Sequence, residues 1–325
     1  MLSNLKKKKI LVTGCAGFIS SFIAEKLIEK GAFVYGIDNL SSGSISNINT
    51  ILHHPHFKFI KNDICKKAII DEIIPKVDYI LHTAVRGLGR STDNPLLELK
   101  TNIGATLLLL EAARKYSIQK FIYTSSASVY GNPKVVPEKE TDLPLPLSPY
   151  GVSKLAAERY CIAYYHLYGI PIVCLRYFNT YGPRQRHDSI YGGVVSIFIN
   201  DALYNRPLTI YGTGNQTRDF TYIHDTVDAT ISSFHSSKAV GKVINISGGK
   251  EYTVNFLAKK IKKISGNKNL KIKHVQKRLI DNIDRRLGDI SLAKKILFYN
   301  PSTPLTKGLQ ETFDWNKEEL KKKKN

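Results

Sequence analysis

Residues 8–20 read KKILVTGCAGFIS, and residues 21–31 read SFIAEKLIEKG. A short apolar run ends at Gly14, and from Phe18 to Gly31 the apolar residues recur at helical spacing until glycine stops them. The run therefore predicts a strand, a tight turn and a helix. Glycines at 14 and 17 let the backbone turn sharply and approach a pyrophosphate, whose charge meets the free N–H groups of the helix start. The third small position is Ser20 rather than glycine, which costs some closeness between helix and strand. Outward from this turn the pattern repeats. AFVYGID (32–38), FKFIKND (57–63), VDYILHTA (77–84), KFIYTSS (120–126) and IPIVCLRYFN (170–179) read as strands. KAIIDEIIP (67–75), NIGATLLLLEAARKYS (102–117) and SKLAAERYCIAYYHLYG (153–169) read as helices between them. Such alternation predicts an α/β fold of Rossmann type: a parallel sheet with helices on both faces.

Past residue 180 the regularity fades into Gly-rich loops and short strands such as PLTIYG and KVINISG. The expected organisation is a cofactor-binding domain over 1–180. Residues 181–325 are expected to form mainly a smaller substrate-binding lobe, with some segments returning to the core sheet.

Asp38 ends the second predicted strand 21 residues after Gly17, where a carboxylate can accept hydrogen bonds from an adenosine ribose and repel a 2′-phosphate. That favours NAD over NADP. Asp63, ending the third strand, is placed at the adenine edge.

Composition narrows the class. The 325 residues are 42% hydrophobic, which excludes a disordered or fibrous chain. Four cysteines (Cys15, Cys65, Cys161, Cys174) lie far apart without a CxxC pair, which fits a reducing compartment and offers neither a disulfide framework nor a zinc site. The four lysines at 6–9 precede an apolar run too short for a signal peptide, and no run of 18 apolar residues occurs, so the expectation is a cytoplasmic protein that spans no membrane. A net charge of +21 favours anionic partners in general, but the lysines are dispersed and no nucleic-acid motif accompanies them, so no specific nucleic-acid partner is expected.

The strand ending TSSASVYG (124–131) carries a cluster of hydroxyls, and SPYGVSK (148–154) supplies a partner: Tyr150 and Lys154, at i and i+4, share a helix face. A phenol is a poor base in water, and bringing it to neutrality takes about 4 kcal/mol of differential stabilisation, which a lysine and a positive nicotinamide ring in a dry site can supply. The chemistry so implied is removal of an alcohol proton as hydride leaves its carbon.

From GCAGFIS through SSASVYG, YGVSK, RYFNTYGPRQ and GTGNQTRDFTYIHD to DISLAKKIL, the chain resembles the extended short-chain dehydrogenase/reductase family. Within it, the similarity is to the NAD-dependent epimerase/dehydratase branch and to UDP-glucose and UDP-N-acetylglucosamine 4-epimerases. The resemblance implies tightly bound NAD and a UDP-sugar substrate, with Ser126, Tyr150 and Lys154 catalytic. It places the cofactor on Gly14, Ala16, Gly17, Phe18, Ile19, Asp38, Asn39, Ser42, Gly43, Asp63, Ile64, Thr83, Ala84, Asn102, Tyr150, Lys154 and Tyr177. It places the substrate on Ser126, Ser128, Tyr150, Asn179, Val194, Val195, Thr209, Tyr211, Arg218 and Arg278, with Arg285 or Arg286 as substitutes for Arg278. It also implies a homodimer through helices near 102–116 and 153–168, and no metal.

Dehydratases of the branch carry an Asp-Glu pair where this chain has Ala127 and Ser128, so no acid is present to drive dehydration. This favours 4-epimerisation of a UDP-hexose, UDP-glucose/UDP-galactose or the N-acetylated pair. UDP-glucuronate, or another epimerase/dehydratase reaction, is the alternative. A reading of a different class, an idle NAD-loaded regulatory protein, is opposed by the intact Ser126, Tyr150 and Lys154. Two departures bear on substrate identity. HTAVRGLGRS (82–91) puts Val85 and Arg86 beside the sugar in a loop one residue short, and KRLIDNIDRRLGD (277–289) lacks the family's phosphate motif in register.

Overall fold

The computed structural model describes residues 5–87, 93–187, 193–277 and 283–322. Seven strands form one sheet: β1 (Lys9–Thr13), β2 (Phe33–Asp38), β3 (Phe57–Lys61), β4 (Tyr79–His82), β5 (Lys120–Ser126), β6 (Ile172–Tyr177) and β7 (Lys242–Ile246). Their order is β7-β6-β5-β4-β1-β2-β3, and every neighbouring pair is parallel. Strand order reverses between β1 and β4, and it is outside the carboxyl ends of strands at such a reversal that open α/β sheets form their ligand crevice.

The strands are apolar on both sides because both faces are covered. Successive residues point opposite ways. Ile10, Val12, Ile122, Val173 and Leu175 pack with helix α1 (Phe18–Glu29) and with parts of the C-terminal half. Leu11, Phe121, Tyr123, Ile172 and Cys174 pack with α2 (Lys67–Ile73) and with two helices, Ala105–Lys115 and Pro149–Tyr168, on the other face.

The helix expected from residue 102 starts earlier, as α3 (Pro95–Glu98). It passes through a π-helical turn at Leu99–Gly104 and continues as α4 (Ala105–Lys115). The helix expected from 153 also starts earlier, as α5 (Pro149–Tyr168). Ser148 accepts the Gly151 N–H at 3.1 Å and Pro149 supplies the first helical residue. Its far end closes on Gly169, left-handed at φ 68°. These early starts place Tyr150 in the first turn of α5, beside the end of β5.

Beyond residue 180 the chain forms α6 (Val194–Leu203), α7 (Ile223–His235), the edge strand β7 and three short strand pairs. Among the described residues no helix is long and apolar enough to cross a membrane.

Candidate functional site

A cavity of about 1140 Å³ lies along the carboxyl edge of the sheet, lined from Gly14 and Asp38 at one end to Ser126, Tyr150, Arg218 and Arg286 at the other. It exceeds the size of a pocket for one drug-sized molecule.

At the first end, Gly14 has φ 66°, and a side chain there would bring its Cβ within 2.9 Å of the Ala84 Cα. The ends of β1 and β4 thus approach as closely as glycine permits. Helix α1 begins at Gly17 with no side-chain cap and no acid in its first turn, so its first N–H groups remain for a ligand's phosphates. Asp38 is buried. Its Oδ2 accepts the Ala16 N–H at 3.0 Å and its Oδ1 the Leu40 N–H at 2.7 Å, while burial raises its pKa. Asp63 is also screened from water, yet the Cys65 N–H and the Asn39 amide hold its pKa below the ordinary carboxylate range. A glycine cradle, an uncapped helix start and a carboxylate at the end of β2 fit a dinucleotide.

At the other end one stripe of α5 does the positioning, since Tyr150, Lys154 and Glu158 recur every four residues. Tyr150 and Ser126 share the cavity wall, and the Ser126 Oγ donates to the Ser128 Oγ at 3.1 Å. Lys154 Nζ donates to the Thr124 carbonyl at 2.7 Å and lies 4.9 Å from the Tyr123 ring centroid. Glu158 is fully buried. It accepts Ser125 Oγ at 2.7 Å and two bonds from Arg176, at 2.7 and 2.9 Å. Burial pushes the Tyr150 phenol up to about 12, with the Ser126 hydroxyl opposing and the Glu98 charge adding. It also pushes the Lys154 ammonium down to about 7.

A second buried chain ties the two ends together. Thr13 Oγ1 accepts the N–H groups of Thr83 (3.1 Å) and Ala84 (3.0 Å), so its one proton goes to His82 Nδ1 at 2.8 Å. His82 Nε2 then donates to Thr106 Oγ1 (2.9 Å), which donates to the Asn102 carbonyl (2.6 Å). This fixes a neutral imidazole, and burial agrees by pushing it down to about 3.

Most residues anticipated for the site line this one cavity: Gly14, Gly17, Phe18, Ile19, Asp38, Asn39, Ser42, Asp63, Ile64, Thr83, Ala84, Ser126, Ser128, Tyr150, Lys154, Tyr177, Asn179 and Arg218. Others do not. Ala16 is buried, and Gly43 packs on Asp38 and Ala16, so both support the wall from behind. The Asn102 amide is engaged by the Arg86 backbone, Glu98 and Ser153 and is not on the cavity wall. Val195 points into the hydrophobic core with Val194 packed beside it, and their neighbour Gly193 takes the wall position. Thr209 and Tyr211 sit on the strand Leu208–Tyr211, away from the wall. Arg278 lies outside the described residues.

Of its two named substitutes, Arg285 pairs with Glu251 outside the cavity, while Arg286 lines it. Arg286 is nearly buried. It pairs with Glu138 at 3.0 Å and donates to the carbonyls of Ala127 and Gly131, clasping the turn after Ser126. Sequence reasoning misses Glu158 and Arg176. The recurrence of a charged residue four beyond Lys154 is the available signal for Glu158, but the partner that makes it meaningful lies on another strand.

The family model described as NAD dependent epimerase/dehydratase matches residues 10–247. A UDP-glucose epimerase of Bacillus subtilis, itself uncharacterized, is 39% identical over 309 residues, 93% of this chain and 95% of that relative. The structure of UDP-glucose 4-epimerase from Thermotoga maritima with UDP-glucose aligns at TM-score 0.90 and 36% identity, over 96% of this chain and 99% of that one. UDP-glucuronic acid 4-epimerase from Bacillus cereus, in complex with UDP-glucuronic acid and NAD, aligns at TM-score 0.89 and 36% identity, over 95% and 99%.

Proposed function

The chain belongs to the NAD dependent epimerase/dehydratase family, and from that premise we propose that it inverts C4 of a UDP-linked hexose through a transient 4-keto sugar. The observation that carries this reading is the placement of Ser126, Tyr150 and Lys154 on the wall of the same cavity as the Gly14–Gly17 turn and Asp38. NAD held at that turn would supply the acceptor and then the donor of the C4 hydride. Gly14, Gly17 and the start of α1 hold its pyrophosphate, and Asp38 its adenosine ribose.

Ser126 holds the sugar's 4-hydroxyl against Tyr150, whose Oη, after releasing its own proton to become the phenolate, takes that of the hydroxyl. Lys154, near neutrality in its own titration, gains charge as the phenolate forms beside it and so stabilises it. Arg218, its guanidinium braced by the carbonyls of Thr217 and Ile283, and Asn179 anchor the diphosphate. The ring then turns about that anchor and presents its other face. Retention of the ketone makes nucleotide contacts part of the mechanism.

The sequence Ser126-Ala127-Ser128 supports epimerisation over dehydration, because it offers no acid to expel water. Along α5, Val152, Tyr160 and Leu167 are exposed at spacings of eight and seven residues, an apolar stripe that supports pairing of two copies through α4 and α5.

The test is an NMR assay of the purified protein with UDP-galactose, UDP-N-acetylgalactosamine and UDP-glucuronate, without added NAD, alongside Tyr150→Phe. Epimer formation from one sugar, lost by about 10²- to 10⁴-fold in the variant, is the expected outcome. If all three remain unchanged even with NAD supplied, the reading fails.

A further inference from the structure

Among the described residues, no acceptor meets the guanidinium of Arg86. Its Nε is buried without a hydrogen-bond partner, and no carboxylate of the described residues pairs with it. By contrast Arg176, Arg184, Arg285 and Arg286 pair with Glu158, Glu25, Glu251 and Glu138. Yet Arg86 lines the cavity, which leaves its charge to be met by what the cavity holds.

Its backbone is held firmly. The Arg86 N–H donates to Asn102 Oδ1 at 2.8 Å, and its carbonyl accepts Asn102 Nδ2 at 3.2 Å. Asn102 Nδ2 also reaches Ser153 Oγ at 2.9 Å, and that hydroxyl lies 2.9 Å from the Tyr150 carbonyl. The Arg86 backbone is thereby tied to the first turn of α5, which carries Tyr150.

Two anions already have hosts in the proposed function. The cofactor's pyrophosphate has the glycine turn and the start of α1, and the nucleotide-sugar diphosphate has Arg218. A third cation on the wall of the same cavity, on a backbone tied to the turn that carries Tyr150, is therefore left for the hexose itself. A neutral hexose offers it hydroxyls, which accept hydrogen bonds but leave the charge uncompensated, whereas a carboxylate accepts two parallel bonds and neutralises it. A carboxylate at C6 is carried on C5, the ring carbon adjacent to C4, within reach of an arginine placed this way.

Resting on the epimerase reading, we propose that Arg86 is a specificity residue that selects a UDP-hexuronate, binding the sugar carboxylate beside the reacting carbon. The probes are UDP-glucuronate and UDP-glucose, which differ only in carboxylate against hydroxymethyl at C5. The proteins are the NAD-loaded wild type, Arg86→Gln and Arg86→Lys.

In the wild type, kcat/KM is expected to favour UDP-glucuronate. Arg86→Gln is expected to lower it on that sugar by about 10- to 100-fold, the scale of a charge-assisted bond, mainly through KM. UDP-glucose should change little, and Arg86→Lys should recover part of the loss. Parallel loss on both sugars, or release of NAD from the variant, would assign Arg86 to the cofactor and overturn the proposal. Unchanged values on both sugars would overturn it too. If neither sugar is epimerised, the function reading is judged separately by the three-sugar assay, and calorimetric binding decides here: Arg86→Gln must weaken UDP-glucuronate selectively, and equal effects on both sugars sink the assignment.

Discussion

At one end of the cavity Gly14, Gly17 and Asp38 come from one uninterrupted strand–turn–helix–strand run, residues 9–38. At the end lined by Arg86, Ser126, Tyr150, Arg218 and Arg286, each group arrives from a different part of the chain. The polar partners differ accordingly. Asp38 is satisfied by the N–H groups of Leu40, two residues on, and of Ala16, at the turn of the same strand–turn–helix–strand run. Ser125 depends on Glu158, Glu158 on Arg176, and the turn after Ser126 on Arg286. A local end needs only a short motif and fails locally when altered. A non-local end buries charges that stay neutralised only while several elements remain docked, so single changes there propagate.

The largest expected effect lies where the stripe of α5 meets the strand end. Lys154→Met removes the donor to the Thr124 carbonyl and, in the proposed mechanism, the cation that stabilises the Tyr150 phenolate. Turnover should fall by about 10²- to 10⁴-fold, read in single-turnover assays of NAD-loaded protein. A loss under about tenfold would mean that the phenol is activated without the lysine.

Next in size is Glu158→Gln, which leaves Arg176 buried without its counter-charge and should cost about 3–5 kcal/mol in urea unfolding. The double change Glu158→Leu with Arg176→Met should recover much of that loss, because no charge is then stranded. A single variant as stable as the wild type would break the contrast between the two ends.

That contrast also explains what can be read from residues alone. The parallel sheet is legible because strand and helix periods alternate over long stretches, and the cofactor end because its groups lie at fixed short spacings from Gly14. Tyr150 and Lys154 are legible as one helix face. The early start of α5 is not, since Ser148 and Pro149 cap the helix ahead of the apolar periodicity that signals its body. Val195 is ambiguous in sequence, because an apolar residue at a helix start suits either a ligand or the core, and its side chain packs in the core. Sequence cannot separate Arg286 from Arg285, because only the folded chain brings Ala127, Gly131 and Glu138 around one and Glu251 beside the other.

A smaller effect is expected at the local end. Asp38→Asn turns an N–H toward either the Ala16 or the Leu40 N–H and removes the charge that opposes a 2′-phosphate. NAD affinity should weaken by about tenfold and the preference over NADP should narrow, both measurable by fluorescence titration of the reduced cofactors. Unchanged discrimination would place the ribose contact elsewhere.

The smallest effect tests the non-local end through its protons. Burial raises the Glu138 carboxyl to about 7, with the Arg286 charge opposing. In the unfolded chain the group titrates near its ordinary value of 4.5. Between these limits the folded protein keeps a proton that the unfolded chain has released. Stability must therefore fall as pH rises from about 4.5 to about 7, with no further contribution on either side. Asp219, raised to about 6 by burial, adds a slope of the same sign. Glu138→Gln retains that second slope and loses the first. Urea midpoints at pH 5 and pH 8 should therefore drop further for the wild type than for the variant. Equal drops would mean that the ion pair with Arg286 outweighs desolvation and that Glu138 is already ionised at pH 5, so the clasp on the turn after Ser126 would be a full charge pair throughout the neutral range.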